Sequence, residues 1–242
     1  VDFPAGRFTA VGDLLGRKLP ATSTAAIRSY VQRYLDFFPP GGLAGWRIAS
    51  YEHSTVAREA LAEVLAALGA AVVRLGRAEG FVPVDTEAIR PEDVALARRW
   101  AAEVGFDAIV SADGDGDRPL VGDEHGVWLR GDVAGILTAR FLGADTVVTP
   151  VSSNTALERS GWFARTVRTR IGSPFVIAGM QQAGGGCIVG YEANGGFLTQ
   201  SDVVRDGRRL PALPTRDALI VPLAVLGLAA ERGVPLSGLA AL

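Results

Sequence analysis

The sequence predicts an α/β fold made of two consecutive α/β units, each with a mainly parallel or mixed sheet covered by helices. Short apolar segments of strand length alternate with longer segments of helical periodicity, as expected for parallel strands joined by helical crossovers. Glycine and proline mark most of the boundaries between them. Hydrophobic residues make up 48% of the 242 residues, which is enough apolar side chain to form a buried core.

The first unit begins after residues 1–20, a Gly- and Pro-containing stretch in which no element is predicted. Thr22 or Ser23 is expected to cap the first helix, which ends at a Pro-Pro-Gly-Gly run. Ser54 is expected to cap the second helix. The predicted elements are helix 24–38, strand 46–51, helix 54–68, strand 70–75, helix 91–104 and strand 106–111.

The second unit continues the alternation after about Arg130, which divides the chain into predicted domains 1–130 and 131–242. Its predicted elements are helix 133–141, strand 146–151, helix 154–160, strand 163–170, helix 174–182, strand 187–191, a turn at 195–197 and helix 215–230. No sequence similarity between the two units is evident, so only the order of their elements relates them.

Composition and charge argue against several functional classes for this protein. Lys and Arg number 24 against 26 Asp and Glu, and this balance argues against a nucleic-acid partner. No apolar run reaches the roughly 18 residues of a membrane span, so no membrane partner is expected. Cys187 is the only cysteine, which suits a reducing, cytoplasmic compartment. No basic-then-apolar leader follows Val1.

The most informative segment is the acidic loop at residues 111–118, which reads Ser-Ala-Asp-Gly-Asp-Gly-Asp-Arg. Asp113, Asp115 and Asp117 alternate directly after an apolar strand, at the end where open α/β sheets bind ligands. Like charges about 5 Å apart repel by roughly 1 to 3 kcal/mol, and a bound hard cation reverses the sign. The loop therefore predicts a divalent cation site.

A calcium-binding loop is the main alternative for this segment. Asp113, Asp115 and Asp117 fit its first, third and fifth positions, and Glu124 fits its twelfth. However, the sixth position should be glycine and is Arg118, and a strand rather than a helix precedes the loop. Because three carboxylates leave room for a phosphate oxygen and water, Mg²⁺ is preferred. A solvated acidic turn is the remaining interpretation.

The acidic loop resembles the metal-binding loop of the α-D-phosphohexomutases, the phosphoglucomutase/phosphomannomutase superfamily. Residues 190–196, Gly-Tyr-Glu-Ala-Asn-Gly-Gly, resemble the sugar-binding loop of that family's third domain. Residues 81–89 and 213–217 resemble stretches of bacterial phosphomannomutases. The resemblance runs from about residue 44 to the C-terminus. It implies that the chain corresponds to the central domains 2 and 3 only, with the metal loop in the first and the sugar loop in the second.

The resemblance also implies an activity. Members move a phosphoryl group between the 1- and 6-hydroxyls of a hexose, such as mannose or glucose 1-phosphate, through a bisphosphorylated intermediate. By this resemblance Asp113, Asp115 and Asp117 would hold Mg²⁺, and Arg118 would lie beside the transferring phosphate as a catalytic residue. The implied partner is a hexose phosphate substrate, with phosphomannomutase favoured over phosphoglucomutase.

Three further positions are implied to bind substrate. Glu192 and Asn194 match the positions whose side chains hydrogen-bond sugar hydroxyls, and Gly172 lies in a segment similar to another substrate loop, where it would allow close backbone approach. Gly196 stands where the family loop often has histidine, so one contact of some members is absent. A surface charge at Glu192 with a hairpin turn at Asn194, and a plain strand-to-helix turn at Gly172, are the competing interpretations.

Two parts of the family pattern are not found in these residues. The phosphoserine loop of the first domain, typically Thr-Ala-Ser-His-Asn-Pro, has no counterpart, and Ser23 lacks the adjacent His-Asn-Pro. The fourth domain, which holds the substrate phosphate, would follow Leu242. We therefore expect the chain to bind Mg²⁺ weakly and to be inactive without those two domains.

Two other functions compete with this one. A non-catalytic Ca²⁺- or sugar-binding α/β module is the alternative from a different class, and metal preference separates it from a mutase. A haloacid-dehalogenase-like phosphatase needs Asp-x-Asp followed by Gly-Thr-Leu-like residues, which Asp115, Asp117 and their neighbours do not supply. His53 is interpreted as a hydrogen-bonded residue at a strand-to-helix junction rather than as a catalytic base.

Overall fold

The fold, seen in a computed structural model that describes residues 21 and 23–241, contains two four-stranded sheets flanked by helices. The helices are α1 (Ala25–Phe37), α2 (Arg58–Ala67), α3 (Pro91–Val104), α4 (Gly131–Phe141), α5 (Ala156–Arg159), α6 (Ser173–Gln182) and α7 (Ile220–Arg232), followed by a 3₁₀ helix over Leu236–Ala241. The strands are β1 (Arg47–Tyr51), β2 (Ala71–Leu75), β3 (Ala108–Ala112), β4 (Pro119–Gly122), β5 (Thr146–Pro150), β6 (Arg165–Thr169), β7 (Ile188–Tyr191), β8 (Phe197–Thr199), β9 (Val203–Arg205) and β10 (Arg208–Leu210).

The two sheets have the same topology. The first has the strand order β2-β1-β3-β4 and the second has the order β6-β5-β7-β8. In each, three strands are parallel and the last pairs antiparallel with the strand before it. The predicted α/β class with mixed sheets covered by helices is confirmed. Equivalent loops at the carboxyl ends of β3 and β7 therefore lie at equivalent positions in their sheets.

A continuous core joins the two sheets. One cluster of buried apolar side chains includes Ile48 and Val110 from the first sheet and Val147 and Val189 from the second. Helices α4 and α7 pack against each other, and α7 also contacts β4. Since burial of apolar surface is the main stabilising term in folding, this shared core holds the sheets together. Among the described helices, none is long and apolar enough to cross a membrane.

Several helix boundaries follow the sequence signals. The helix predicted over 91–104 is α3, with Pro91 in its first turn and Gly105 at φ 68° after its last residue. In contrast, the capping prediction at α1 is not met, because Thr24 takes the N-cap position without a side-chain bond. Ser23 Oγ does accept a hydrogen bond from the Ala25 N–H at 3.3 Å. Thr22 and residues 1–20 lie outside the described residues.

Two predicted helix starts are wrong. Helix α2 begins at Arg58 rather than near Ser54, whose hydroxyl instead accepts a hydrogen bond from the Val82 N–H at 2.8 Å. Helix α7 begins at Ile220 rather than at residue 215, because buried Asp217 accepts hydrogen bonds from the first amides of the helix. The Ser54 hydroxyl, expected to cap α2, is used by a contact 28 residues away, whereas Asp217, expected inside the helix, bonds the amides two and three residues after it.

Four short strands are not evident in the sequence. They include the antiparallel strands β4 and β8, and the turn predicted at 195–197 overlaps the first residue of β8. The other two form the β9–β10 hairpin, in a segment for which the sequence predicts no element. Each of these strands has three or four residues, too few to show a period of two. Their pairing partners, rather than their own sequences, make them strands.

Helix α1 precedes the first sheet in the sequence but is anchored to the second half of the chain. Tyr30 and Tyr34 donate hydrogen bonds to Asp217 Oδ1 at 2.8 and 2.5 Å. The same oxygen accepts from the backbone N–H groups of Leu219 and Ile220, each at 3.2 Å. Burial, together with the charge of Asp217, raises the pKa of both tyrosine hydroxyls above the ordinary value.

This arrangement predicts that Asp217→Ala will destabilise the whole fold. Two buried tyrosine hydroxyls and two helix amides would lose their acceptor, and we expect the free energy of unfolding to fall by about 3 kcal/mol. Urea denaturation followed by circular dichroism measures the change. Asp36→Ala, on the exposed side of α1, is the control and should change little, because within the described part of the chain the Asp36 carboxylate accepts a hydrogen bond only from Gln32, one turn away. Equal stability of the two variants would contradict the prediction.

Candidate metal and sugar site

The acidic loop is the hairpin that joins β3 to β4. Its ends are fixed because Ala112 pairs with Pro119 across the two antiparallel strands. The Asp113 N–H donates to Arg118 O at 2.9 Å. Gly116 has φ +75°, and a Cβ there would lie 3.1 Å from Ala57 Cβ. The turn therefore requires glycine both for its backbone conformation and for its close approach to the start of α2.

The three aspartates of this hairpin converge. One carboxylate oxygen from each of Asp113, Asp115 and Asp117 lies within 4.8 Å of the other two. Asp113 is buried, Asp117 is half-buried and Asp115 is exposed. Asp117 Oδ1 is buried and has no hydrogen-bond partner among the described residues. Three convergent carboxylates, together with a buried Asp117 oxygen that has no hydrogen-bond partner among the described residues, fit a hard divalent cation.

The charges around the triad are only partly balanced. The Arg118 Nε–H donates to Asp113 Oδ2 at 2.6 Å and lies 3.6 Å from Asp117 Oδ1. The backbone amides of Asp117 and Arg118 donate to Asp113 Oδ1 at 3.1 and 3.0 Å. Among the described residues no arginine pairs with Asp115, and a side-chain hydrogen bond with Asp113, together with the charges of Asp113 and Asp117, raises its pKa. The outer carboxylate therefore carries most of the uncompensated repulsion.

The loop at residues 192–196 connects β7 to β8 in the equivalent position of the second sheet. Its turn is closed by the Gly195 N–H donating to Glu192 O at 3.0 Å, and Gly195 has φ +89°. The Glu192 side chain is almost fully buried. The Asn194 carboxamide oxygen accepts from the Gly196 N–H at 3.0 Å, so part of this side chain stabilises its own turn.

The two loops are linked through one arginine. The Arg216 Nε–H donates to Glu192 Oε2 at 2.8 Å, and Nη1 donates to Asp117 Oδ2 at 3.2 Å. The Ser173 hydroxyl donates to the same Glu192 oxygen at 2.8 Å. A continuous chain of charged hydrogen bonds thus runs from the metal-type loop to the sugar-type loop. No individual role is predicted from the sequence for Arg216 or Ser173.

Backbone contacts hold the sugar-type loop against both halves of the chain. The Thr86 hydroxyl donates to Asn194 O at 2.7 Å. A Cβ at Gly195 would lie 3.1 Å from Pro119 O, at the end of the acidic hairpin. A Cβ at Gly131, the first residue of α4, would lie 2.4 Å from Ala193 O. The loop is therefore clamped between the first sheet and the N-terminus of α4.

Gly172 adopts φ +121° at the N-cap position of α6, so its backbone conformation favours glycine. A Cβ there would come no closer than 3.7 Å to its neighbours. The next residue, Ser173, contacts Glu192. The loop that contains Gly172 therefore lies beside Glu192, and a Cβ at Gly172 would make only ordinary van der Waals contacts with Phe175 and Pro174.

An open cleft of about 610 Å³ lies beside the acidic loop. Its walls include Asp113 and Asp115 on one side and Phe81, Asp85 and Arg90 on the other. The volume falls within the roughly 300–1,000 Å³ of small-molecule sites. The cleft brings the segment at residues 81–89, noted in the sequence only by resemblance, next to two of the three aspartates.

Two other sequence predictions can be compared with the structure. His53 is fully buried and its Nε2 lies 2.7 Å from Ala112 O, as expected for a hydrogen-bonded junction histidine. Glu124, the twelfth position of the alternative calcium loop, does not join the three aspartates. Its carboxylate instead accepts hydrogen bonds from the N–H and hydroxyl of Ser237. The acidic hairpin therefore lacks the bidentate glutamate that a calcium loop of this type requires.

Comparison with known proteins agrees with this arrangement. Residues 130–242 match the family model described as phosphoglucomutase/phosphomannomutase, alpha/beta/alpha domain III. A phosphomannomutase of Sinorhizobium fredii is 47% identical over 91% of this chain and 47% of its own length. A phosphomannomutase of Salmonella muenchen is 48% identical over 84% of this chain and 43% of its own length. This chain belongs to the phosphohexomutase superfamily.

Solved structures support the fold of this phosphohexomutase chain. The crystal structure of a putative phosphomannomutase from Thermus thermophilus superposes with a TM-score of 0.72 and 17% identity, covering 88% of this chain and 49% of that one. The chain spans about half the length of the curated relatives it matches. The family resemblance seen in the acidic and Glu-Ala-Asn loops is thereby confirmed, whereas the roles of their individual residues stay predictions.

The tight contact at Gly131 gives a test of how the sugar-type loop is held. Gly131→Ala should push this loop away, because the new Cβ would overlap backbone atoms of Ala193 and Gly195. We expect a loss of about 1–3 kcal/mol in unfolding free energy, as for other overpacked sites. Faster hydrogen exchange of the Glu192 and Gly195 amides should accompany it.

The control for this substitution is Gly80→Ala, because a Cβ at Gly80 meets no atom within 4 Å. It should leave both stability and amide exchange near those of the unmodified chain. A Gly131→Ala variant whose Glu192 and Gly195 amides exchange as slowly as those of the control would show that the loop is not clamped at α4.

Proposed function

We propose that this chain supplies the metal-binding and sugar-binding parts of a phosphohexomutase that acts on mannose phosphate. The reaction would move a phosphoryl group between the 1- and 6-hydroxyls through a bisphosphorylated intermediate. The observation that carries the proposal is the link from Asp117 through Arg216 to Glu192, at 3.2 and 2.8 Å. It sets a site suited to a phosphoryl group beside a site suited to sugar hydroxyls. The two phosphomannomutase relatives support mannose as the sugar.

We propose Mg²⁺ as the ion held by Asp113, Asp115 and Asp117. The donors are all carboxylate oxygens, and Asp117 Oδ1 has no hydrogen-bond partner among the described residues. When bound, the ion would neutralise charge on phosphoryl oxygens, which is the main requirement of phosphoryl transfer. Arg118, fixed on Asp113 at 2.6 Å, would direct its remaining guanidinium nitrogens towards the same oxygens.

The sugar would be held by Glu192 and Asn194, with Gly172 allowing its close approach. Ser173 and Arg216 both donate to Glu192 Oε2, which orients the carboxylate and leaves Oε1 to accept from a hydroxyl. The Asn194 carboxamide oxygen is engaged by Gly196, so its Nδ2 is the atom left to donate. These two groups offer an acceptor and a donor, which suits adjacent hydroxyls of a hexose.

We propose that residues 1–130 correspond to the second domain of a phosphohexomutase and residues 131–242 to the third. The shared strand order of the two sheets supports two related units. The 242 residues contain no Thr-Ala-Ser-His-Asn-Pro-like segment that would donate the phosphoryl group. The chain by itself is therefore expected to bind ligands without turning them over. A cytoplasmic location is proposed from the single cysteine.

Metal binding tests the first part of the proposal. Asp115→Asn should weaken Mg²⁺ binding by about tenfold or more. Loss of a residue that only orients a metal ligand already lowers metal affinity about tenfold, and loss of a ligand should lower it at least as much. Isothermal titration calorimetry measures the dissociation constant. Asp206→Asn is the control, since Asp206 lies in the exposed β9–β10 turn and is absent from the triad. Equal Mg²⁺ affinity of the two variants, or tighter binding of Ca²⁺ than of Mg²⁺, would contradict the assignment.

Turnover tests the second part. The chain should bind mannose 1-phosphate in the presence of Mg²⁺, yet yield no mannose 6-phosphate even when a hexose bisphosphate activator is supplied. Calorimetry measures binding, and ³¹P NMR of the incubation measures conversion. Sustained isomerisation by the purified chain would refute the expectation that it lacks the phosphoryl donor. Absence of mannose 1-phosphate binding would instead refute the sugar site itself.

A further inference from the structure

Arg216 holds together two carboxylates that belong to different loops. It contacts Asp117, which is 99 residues away in the sequence, and Glu192, which is 24 residues away. Its side chain is 29% exposed, and Asp117 and Glu192 are 34% and 5% exposed. Burial opposes the charged form, but hydrogen bonds with Glu192 and Asp117 raise the pKa of the guanidinium overall. The three side chains therefore form a partly buried charged network between the two loops rather than a loose surface contact.

The sequence leaves space for this arginine. A Cβ at Gly196 would lie 3.0 Å from Arg216 Cδ and 3.1 Å from its Nε. Since contacts this short require the neighbour to shift by a few tenths of an ångström, a side chain at residue 196 would press on the end of Arg216 that bonds Glu192. Glycine at 196 and arginine at 216 are thus sterically matched.

The arginine is not required to build either loop. Ser173 also donates to Glu192, and Thr86 and Gly131 fix the backbone of the sugar-type loop. The acidic hairpin is closed by its own bonds and by Arg118. The contribution of Arg216 is therefore to the charge and orientation of the two carboxylates rather than to the folding of the loops that carry them.

We propose that Arg216 is a positioning residue that makes occupancy of the acidic triad and of the sugar site depend on each other; this inference rests on the proposed function. Its guanidinium competes with a divalent cation for Asp117, because two positive charges at one carboxylate repel. Cation binding weakens the contact with Asp117. The guanidinium then bonds Glu192 and the phosphate of an incoming hexose phosphate. Its planar set of N–H donors suits two-point hydrogen bonding to carboxylate and phosphate oxygens.

Binding measurements on the whole chain test this role. In Arg216→Gln, Mg²⁺ should bind about fivefold tighter or more, while mannose 1-phosphate, titrated with Mg²⁺ saturating, should bind at least about fivefold weaker, the scale of typical site-to-site coupling. Calorimetry gives both dissociation constants. A purely structural role would weaken both ligands together, so opposite directions in one variant are the signature.

Three further variants sharpen the test. Arg216→Lys keeps the charge but not the fork, so Mg²⁺ affinity should stay near that of the unmodified chain while mannose 1-phosphate affinity falls. A Cβ in Gly196→Ala would lie 3.0 to 3.1 Å from Arg216 Cδ and Nε and from Asn194 Oδ1. This variant should lower mannose 1-phosphate affinity and leave Mg²⁺ affinity near that of the unmodified chain, which also covers the case that Arg216→Gln does not fold. Arg209→Gln, which removes an exposed arginine paired with Asp202, is the matched control and should change neither constant.

The outcomes separate this inference from the proposed function. If the unmodified chain binds both ligands and Arg216→Gln changes neither constant, or lowers both affinities, the coupling role is wrong and the mutase proposal stands. If the unmodified chain binds neither Mg²⁺ nor mannose 1-phosphate at millimolar concentration, both the proposed function and this inference are overturned. Opposite shifts in Arg216→Gln, with Arg209→Gln unchanged, support it.

Discussion

The crowding of three carboxylates at the end of one hairpin is the constraint on which the site depends. Asp113, Asp115 and Asp117 bring oxygens within 4.8 Å of one another, and like charges at that distance repel. Two arginines offset part of this repulsion. Arg118 contacts Asp113 from inside the loop, and Arg216 reaches Asp117 from the other half of the chain. Asp115 has neither partner, so its environment is the one that a cation would change most.

The repeated sheet topology explains why an arginine from one half of the chain can balance the charge of an aspartate in the other half. Strands β3 and β7 occupy the same place in their sheets, and each is followed by a functional-type loop and an antiparallel strand. The shared core and the packing of α4 on α7 bring these two edges together. Two loops with the same position in their own sheets thereby lie within reach of the same side chain, Arg216. One long arginine side chain is then sufficient to connect them.

The same packing makes stability and site geometry depend on neighbouring residues. Asp217 is buried and anchors α1 to the start of α7, whereas Arg216, the residue before it, points to Glu192 and Asp117. Adjacent residues of one segment thus serve the core and the site. The backbone of this segment is fixed by the aspartate, which limits where the arginine can lie.

The sequence alone determined the α/β class, the six parallel strands and the acidic loop, because apolar periodicity and the Asp-Gly alternation are local signals. It also singled out Glu192 and the Glu-Ala-Asn loop by resemblance. It could not give the antiparallel edge strands β4 and β8, the true starts of α2 and α7, or the role of Arg216. These features depend on residues that are distant in the sequence. The Val82 N–H bonds the Ser54 hydroxyl that was expected to cap α2, and hydrogen bonds with Glu192 and Asp117 fix the position of Arg216. Tertiary packing decided these features, because strand pairs and ion pairs between distant segments form only when the chain is folded.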